Sequence, residues 1–537
     1  MKNLKILTII CFAVIGMFII SCNPDHLTNL NKNPDQIENI IPEYSFMGAL
    51  METTPMRNNN LSQGMQYYST YKEVPAGGDK FYSFGLGGNF DMYRSELNRL
   101  EKIANELKDD PNNVNILAAV EMLRIYQMHG ITDRMGDVPY TEAMQGLANL
   151  KPKYDTQRSI YLAMLAELDA AINSMDASKP PVFGKADIFF GGNIAKWKKF
   201  GYTLMMRIGM RMSEVEPTLS RQWVEKAAAG GAMTDFEDIA YIRYADITGQ
   251  FNPRANSMIT GNYASPGGDN VEGGKYTKKF IDYLKETEDP RLAVISVVWV
   301  PLGTTPPTYF ADNTATNQKG MLSGSINSYP MEFETYSEPS LLYLYRGSPI
   351  VIFEPSEAYL LLAEAALRGW NVGITDADAY EKAVRAAMKR WTLWPDVAPH
   401  TGVITESQVN AYLAKNPYGG SYDQKFEQIA YQKWVSMFDN ESEVWSNWRR
   451  IKLPIFNYAN WKDPVTGAIT SYPGNVSGGK MYRRYSLPIA EQTLNWDNYI
   501  NAIERQGFKE ENLDLLQGRM WWDLESVGNG SGQSNTN

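Results

Sequence analysis

The sequence predicts a mostly α-helical protein, and three observations carry that prediction. Apolar residues return at three- and four-residue intervals through several long segments, the spacing that lines one face of a helix. Two neighbouring segments on either side of residue 370 place small alanines where two helices would nest. Strand-like runs are short, residues 239–244 and 294–300 being the clearest.

The chain opens with a basic head, Lys2 and Lys5, followed by an almost unbroken apolar run over residues 6–20. As a helix that run would span about 22 Å, short of the ~30 Å hydrocarbon core of a bilayer. A basic head and a short apolar run closed by small residues are the layout of a secretory signal. Ile19-Ile20-Ser21-Cys22 resembles the bacterial lipobox, with isoleucines where its usual leucine and a small residue stand. The resemblance implies that residues 1–21 are a lipoprotein signal peptide and that Cys22 is acylated and becomes the mature N-terminus. A plain signal with an incidental cysteine is the alternative. Residues 22–54 are polar and proline-rich, with Asn31-Lys32-Asn33-Pro34 as a turn, and read as a tether and lead-in. Residues 55–537 then form one helical domain.

Within that domain Leu97, Leu100, Ile103, Ala104 and Leu107 mark a helix over residues 93–107. Pro111 introduces the next, over 114–128, with Leu117, Val120, Leu123 and Ile125 on its buried face. Further helices are predicted over 159–175 and over 197–212, the latter with a Met-rich face suited to filling a core. Between residues 234 and 345 Gly, Pro, Asn and Thr dominate, which predicts a loop-rich insertion. Helices return over 355–368 and 376–391, and Ala363, Ala365, Ala379 and Ala383 allow close contact between them. This pair resembles a tetratricopeptide-type hairpin, and without a strict repeat period such hairpins would be degenerate. Segments 408–413, 424–438 and 441–450 continue the helical run.

Composition narrows the function. A net charge of −10 argues against nucleic acid, whose phosphates need clustered Lys and Arg. Cys11 would leave with the signal and Cys22 would carry lipid, so the mature chain has no disulfide and no thiolate metal site. His26, His129 and His400 are too far apart in sequence to suggest a ligand cluster, and no cofactor is expected; a carboxylate site for a cation stays open. The 13 Trp and 32 Tyr exceed what a helical core normally requires, and such rings serve equally in packing and in stacking on sugars.

Several segments are more specific. The run Ile131-Thr132-Asp133-Arg134-Met135-Gly136-Asp137-Val138-Pro139-Tyr140 resembles a hallmark of the SusD/RagB-like outer-membrane lipoproteins, in the SusD-like branch. Lys151-Pro152-Lys153-Tyr154-Asp155, Trp197-Lys198-Lys199-Phe200, Asp289-Pro290-Arg291-Leu292 and Ala363-Glu364-Ala365-Ala366 follow in the family's order. So do Gln432-Lys433-Trp434, Trp448-Arg449-Arg450, Asn495-Trp496 and Trp521-Trp522-Asp523. Most of these read first as scaffold. Gly136 to Pro139 is a turn, Trp434 and Trp448 are core residues, and Arg449 and Arg450 make ion pairs or cap carbonyls.

The ligand site is therefore expected where the motifs are absent. One candidate region, residues 63–90, carries Tyr67, Tyr68, Tyr71, Phe81, Tyr82 and Phe84; the other, in the insertion, carries Trp299, Tyr309, Phe310, Tyr329, Phe333, Tyr336, Tyr343 and Tyr345. Tyr71, Phe81, Tyr82, Trp299, Tyr309 and Tyr336 are the candidate ligand-binding residues, and no catalytic residue is assigned. The resemblance implies a cell-surface nutrient-binding lipoprotein of the outer membrane. It would capture an oligosaccharide, or a peptide in the same role, and close as a hinged lid over a SusC-like TonB-dependent transporter. A glycoside hydrolase is the alternative from another class and would need two carboxylates about 5 to 10 Å apart. The sequence has no Gly-x-Ser-x-Gly, His-Glu-x-x-His or phosphate-loop motif to support an enzyme. A purely structural helical adaptor would have no use for loop aromatics.

Overall fold

The computed structural model describes residues 40–54, 59–69, 90–260, 275–305, 308–324, 333–471, 480–508 and 517–525. Helices dominate it, and they pack as hairpins. Val114–Met135 lies against Gln157–Ser174, Ile194–Arg211 against Pro217–Gly230, and Pro355–Leu367 against Asp376–Lys389. Helix Tyr422–Ser436 then packs on Pro355–Leu367, and Gln157–Ser174 on Ile194–Arg211. The degenerate tetratricopeptide-like stack expected from the sequence is the observed architecture.

Local chemistry explains where these helices begin. Thr156, Asn193 and Thr375 accept hydrogen bonds from backbone N–H groups in the first turns of their helices. Thr405 with Gln408 and Ser421 with Gln424 form reciprocal capping boxes. Pro217 and Pro355 occupy first-turn positions, where the missing N–H costs nothing. Close packing depends on small residues: Ala363, Ala365, Ala379 and Ala383 are buried. At Gly201 a Cβ would stand 2.7 Å from Ile172 Cγ1, so only glycine lets these two helices approach so closely.

Several elements depart from expectation. The helix predicted over 114–128 runs on to Met135. Helices Pro217–Gly230, Lys278–Glu286 and Trp496–Arg505 have no counterpart in the periodicity reading. The later part of the segment read as tether and lead-in contains the helix Pro42–Glu52, which buries Phe46, Ala49 and Leu50. The Phe46 ring lies 5.2 Å from Phe183 and 6.1 Å from Trp197.

The insertion at 234–345 is more ordered than its composition suggests. It holds the helices Pro253–Thr260, Lys278–Glu286 and Arg291–Ile295 and a three-stranded antiparallel sheet. Ser296–Pro301 is the central strand, flanked by Tyr309–Asp312 and Glu338–Pro339. Ala240–Ile242 pairs instead with Ile350–Phe353, tying the insertion's first strand to the entrance of helix Pro355–Leu367. No helix among the described residues is long and apolar enough to cross a membrane.

Candidate ligand-binding face and the polar core behind it

The segments 131–140 and 151–155 meet inside the scaffold. Gly136 takes φ +79°, and Thr132 Oγ1 donates to its carbonyl at 2.7 Å. Asp137 next to it accepts from Gln157 N at 2.8 Å and from Arg505 at 2.6 Å. Asp155, from the second motif, accepts from the N–H groups of Tyr140 and Thr141 at 3.1 and 2.8 Å. Two sequence motifs thus fold into one hydrogen-bonded corner. Its role is structural, as expected.

Behind that corner runs a chain of buried ion pairs. Arg211 bridges Asp133 at 3.1 Å and Glu443, and Lys433 reaches Glu443 at 2.9 Å. Arg207 clasps Glu357, Arg450 takes both oxygens of Glu364 at 2.6 Å, and Lys452 and Arg483 share Asp523. Burial pushes the Glu364 carboxyl up, but Arg450 and Arg368 outweigh it and hold it at about 2. Burial lowers His129 to about 4, so its ring is neutral beside Asp133 near neutral pH. Arg449 stacks on Trp445, 3.4 Å from the ring centroid, and donates to Arg483 O at 2.9 Å. Trp434 and Trp448 are buried core residues, and Trp434 Nε1 donates to Met65 O at 3.0 Å. The carboxylates of this core each meet a cation within the protein, while Arg449 has no ion pair among the described residues and donates to Trp445 O, Ser446 Oγ and Arg483 O.

The sheet is different. Trp299 pairs with Ala311 and Pro301 with Tyr309, so Trp299 and Tyr309 project from one face, diagonal neighbours about 7–8 Å apart. The indole Nε1 of Trp299 donates to Glu338 Oε2 at 2.8 Å. Glu338 is fully buried and ion-paired with Lys275, which is also buried and lies 4.5 Å from the centroid of the Phe333 ring. A polar clamp from two other strands therefore sets the orientation of a half-buried ring. Tyr309 is 37% exposed and its neighbour Phe310, on the opposite face, 46%. Tyr336 is half-buried two residues before Glu338, with Lys319 Nζ 4.8 Å from its ring centroid.

The structure thus brings Trp299 and Tyr309 together and places Tyr336 on the segment leading into the third strand. Cys22, Tyr71, Phe81, Tyr82, Phe84 and Tyr329 lie outside the described residues. Four other aromatics of the two candidate regions, Tyr67, Tyr68, Phe333 and Tyr343, are buried and pin loops to the body. Lys275 and Glu338 were not legible as partners: 63 residues separate them, and neither stands in a motif. No group of three or more potential metal-ligating side chains occurs among the described residues.

The sequence matches, over residues 34–473, the model of a SusD-like family described as starch-binding and associating with the outer membrane. Among solved structures, a chitin-binding protein is similar at 26% identity and a TM-score of 0.73, over 90% of this chain and 99% of that one. A chitin-binding SusD homologue from Flavobacterium johnsoniae has 21% identity and a TM-score of 0.71, covering 91% and 99%. A SusD homologue from Bacteroides fragilis has 22% identity and a TM-score of 0.71, covering 90% and 100%. Among proteins with curated functions, none matches the chain.

Proposed function

The chain belongs to the SusD-like family, and from that premise we propose that it is a carbohydrate-binding lipoprotein of the outer membrane. The observation that carries the reading is the clamped Trp299 ring with Tyr309 beside it on one sheet face. A pyranose presents an apolar C–H face that stacks on such rings, and a ring already held in place loses little freedom on binding. The work is capture without bond chemistry, so the protein is no enzyme in this reading.

Cys22 carries the lipid, more than one acyl chain making the attachment stable. The segment after it tethers the body at the cell surface over a SusC-like TonB-dependent transporter. Tethering raises the effective concentration of the two proteins for each other, so a modest interface stays occupied while the body opens and closes as a lid. The captured oligosaccharide then passes to the barrel.

One preparation tests these steps. Purified from mild detergent, the tagged protein is expected to bring down a large barrel protein in comparable amount. Titration with soluble oligosaccharides should saturate and leave them uncut. Cleavage products would replace the carrier with a hydrolase, and recovery of the lipoprotein alone from several detergents would remove the lid.

A further inference from the structure

A second cleft, separate from the sheet face, lies between helix Lys278–Glu286 and helix Tyr422–Ser436 and has a volume of about 740 Å³. Its wall is built on two stacked rings, Tyr283 and Tyr431, with centroids 4.9 Å apart at 27°. Both rings also pack edge-on against buried Trp434, and Lys279 Nζ donates to the Tyr431 hydroxyl at 3.1 Å. The aromatic wall is therefore rigid.

Around it the polar groups divide into engaged and unengaged. Lys278 is paired with Asp282, and Lys279 with Tyr431. Glu286 and Glu427 are exposed and have no ion pair among the described residues. Asn457 uses its Oδ1 and Asn460 its Nδ2 in local turns, so each keeps one amide group without a partner among the described residues. Ser323 lines the same cleft and is 5% exposed, yet its Oγ has no hydrogen-bond partner among the described residues. A buried hydroxyl without a partner is destabilising, and a ligand hydroxyl would offset that cost.

The geometry points to a second carbohydrate site in this cleft, selective for a neutral oligosaccharide. Free carboxylates accept from vicinal hydroxyls, primary amides both donate and accept, and tyrosine rings take the apolar face of a sugar. Lys279 keeps its charge beside a neutral hydroxyl, so with the Lys278–Asp282 pair and the carboxylates of Glu286 and Glu427 the lining has one net negative charge, which disfavours uronic acids, phosphorylated sugars and nucleotides. A peptide would want apolar pockets for alternate side chains, and among the described residues of the lining only Leu322 and Ile455 are aliphatic.

The test uses the full-length protein with maltoheptaose and chitopentaose as probes, read by titration calorimetry. Glu427→Ala with Asn460→Ala removes cleft groups outside the core, while Trp299→Ala with Tyr309→Ala removes the sheet face. At least one probe is expected to bind the sheet variant at one remaining site. Adding the two cleft substitutions should weaken that site tenfold or more without moving the melting temperature. An oligogalacturonide of similar length should not compete there. The cleft assignment is overturned if the sheet variant binds neither glycan, or if the cleft substitutions change the residual affinity less than twofold. Displacement of the glycan by the oligogalacturonide, or saturation of the cleft by a peptide mixture in place of glycan, overturns the ligand class. Loss of all binding through the cleft substitutions alone would leave the cleft standing and remove the sheet face.

Discussion

The polar core between the helices and the sheet face use the same kinds of residue to opposite ends. In the core, Arg211, Lys433, Arg450 and Arg483 each meet a carboxylate, and the tryptophans beside them are buried. At the sheet, one buried pair, Lys275 with Glu338, holds an indole that stays half-buried. In the core, pairing specifies packing; at the sheet, a buried pair that also accepts an indole N–H presents a ring. The difference teaches where to look for function in such a protein: at the groups that orient something still open to a ligand.

The comparison breaks first if the core charges prove dispensable. Glu443→Ala leaves Arg211 and Lys433 buried beside an empty position, and removing one partner of a buried pair costs about 3–5 kcal/mol. Urea denaturation should show that loss, and glycan affinity of the protein that remains folded should be unchanged. A loss under about 1 kcal/mol would mean that water or neighbouring groups replace the carboxylate.

Acid should act on the core in both directions. His129, held down at about 4 by burial, is neutral in the folded protein and takes up its proton readily only when unfolded. The unfolded state therefore binds more protons below pH 6.5. Stability present above that pH is lost as it falls toward 4, by about 3 kcal/mol for this group. Glu364, held at about 2, adds a second loss between about 4.5 and 2. Glu354 has the opposite sign: burial raises it to about 7 against the pull of Arg390, so its contribution fades as pH rises from 4.5 to 7. The His129 loss and the Glu354 gain, each about 3 kcal/mol, nearly offset between pH 7 and 4.5. Melting temperatures should therefore stay near level there and fall below about pH 4.5, where Glu364 titrates, and His129→Gln should make stability rise as pH falls from 7 to 4.5.

At the sheet the effects are smaller and fall on binding. Trp299→Ala is expected to weaken glycan affinity by about 1–2 kcal/mol, with a stability cost well below that of Glu443→Ala. Tyr309→Ala, at a more exposed ring, should cost about 1 kcal/mol of affinity and no more than about 0.5 kcal/mol of stability. Reversed ranks, with large melting shifts and unchanged titrations, would make these rings structural and erase the contrast with the core.

Legibility followed the number of apolar positions that a helix shows. Pro355–Leu367 and Asp376–Lys389 bury many residues, and their pattern was plain. Trp496–Arg505 buries Tyr499, Ala502 and Ile503, and Pro217–Gly230 buries Ser220, Val224 and Ala227, too few or too small to set a period. The insertion misled in a related way. Its strands at Ala240–Ile242 and Ser296–Pro301 were legible as short apolar runs, but the helices Pro253–Thr260, Lys278–Glu286 and Arg291–Ile295 are too short to set a clear period, so composition made them look like loops. At the candidate site, Trp299 and Tyr309 were legible as aromatics on a turn-rich segment, but which rings would be open was not. Phe333 and Tyr343, chosen by the same reasoning, turned out to be buried.

By itself the sequence determined the helical class, the caps that start its helices and the motifs that mark its family, because each of these depends on residues within one or two turns of one another. Tertiary structure decided everything that joins distant positions: Arg211 with Glu443 across 232 residues, Lys275 with Glu338 across 63, and Trp299 turned toward that pair. Periodicity reports which face of an element is buried. It carries no information on which of many possible charged partners the packed chain brings within hydrogen-bond reach, and that choice sets both the silent core and the open ring.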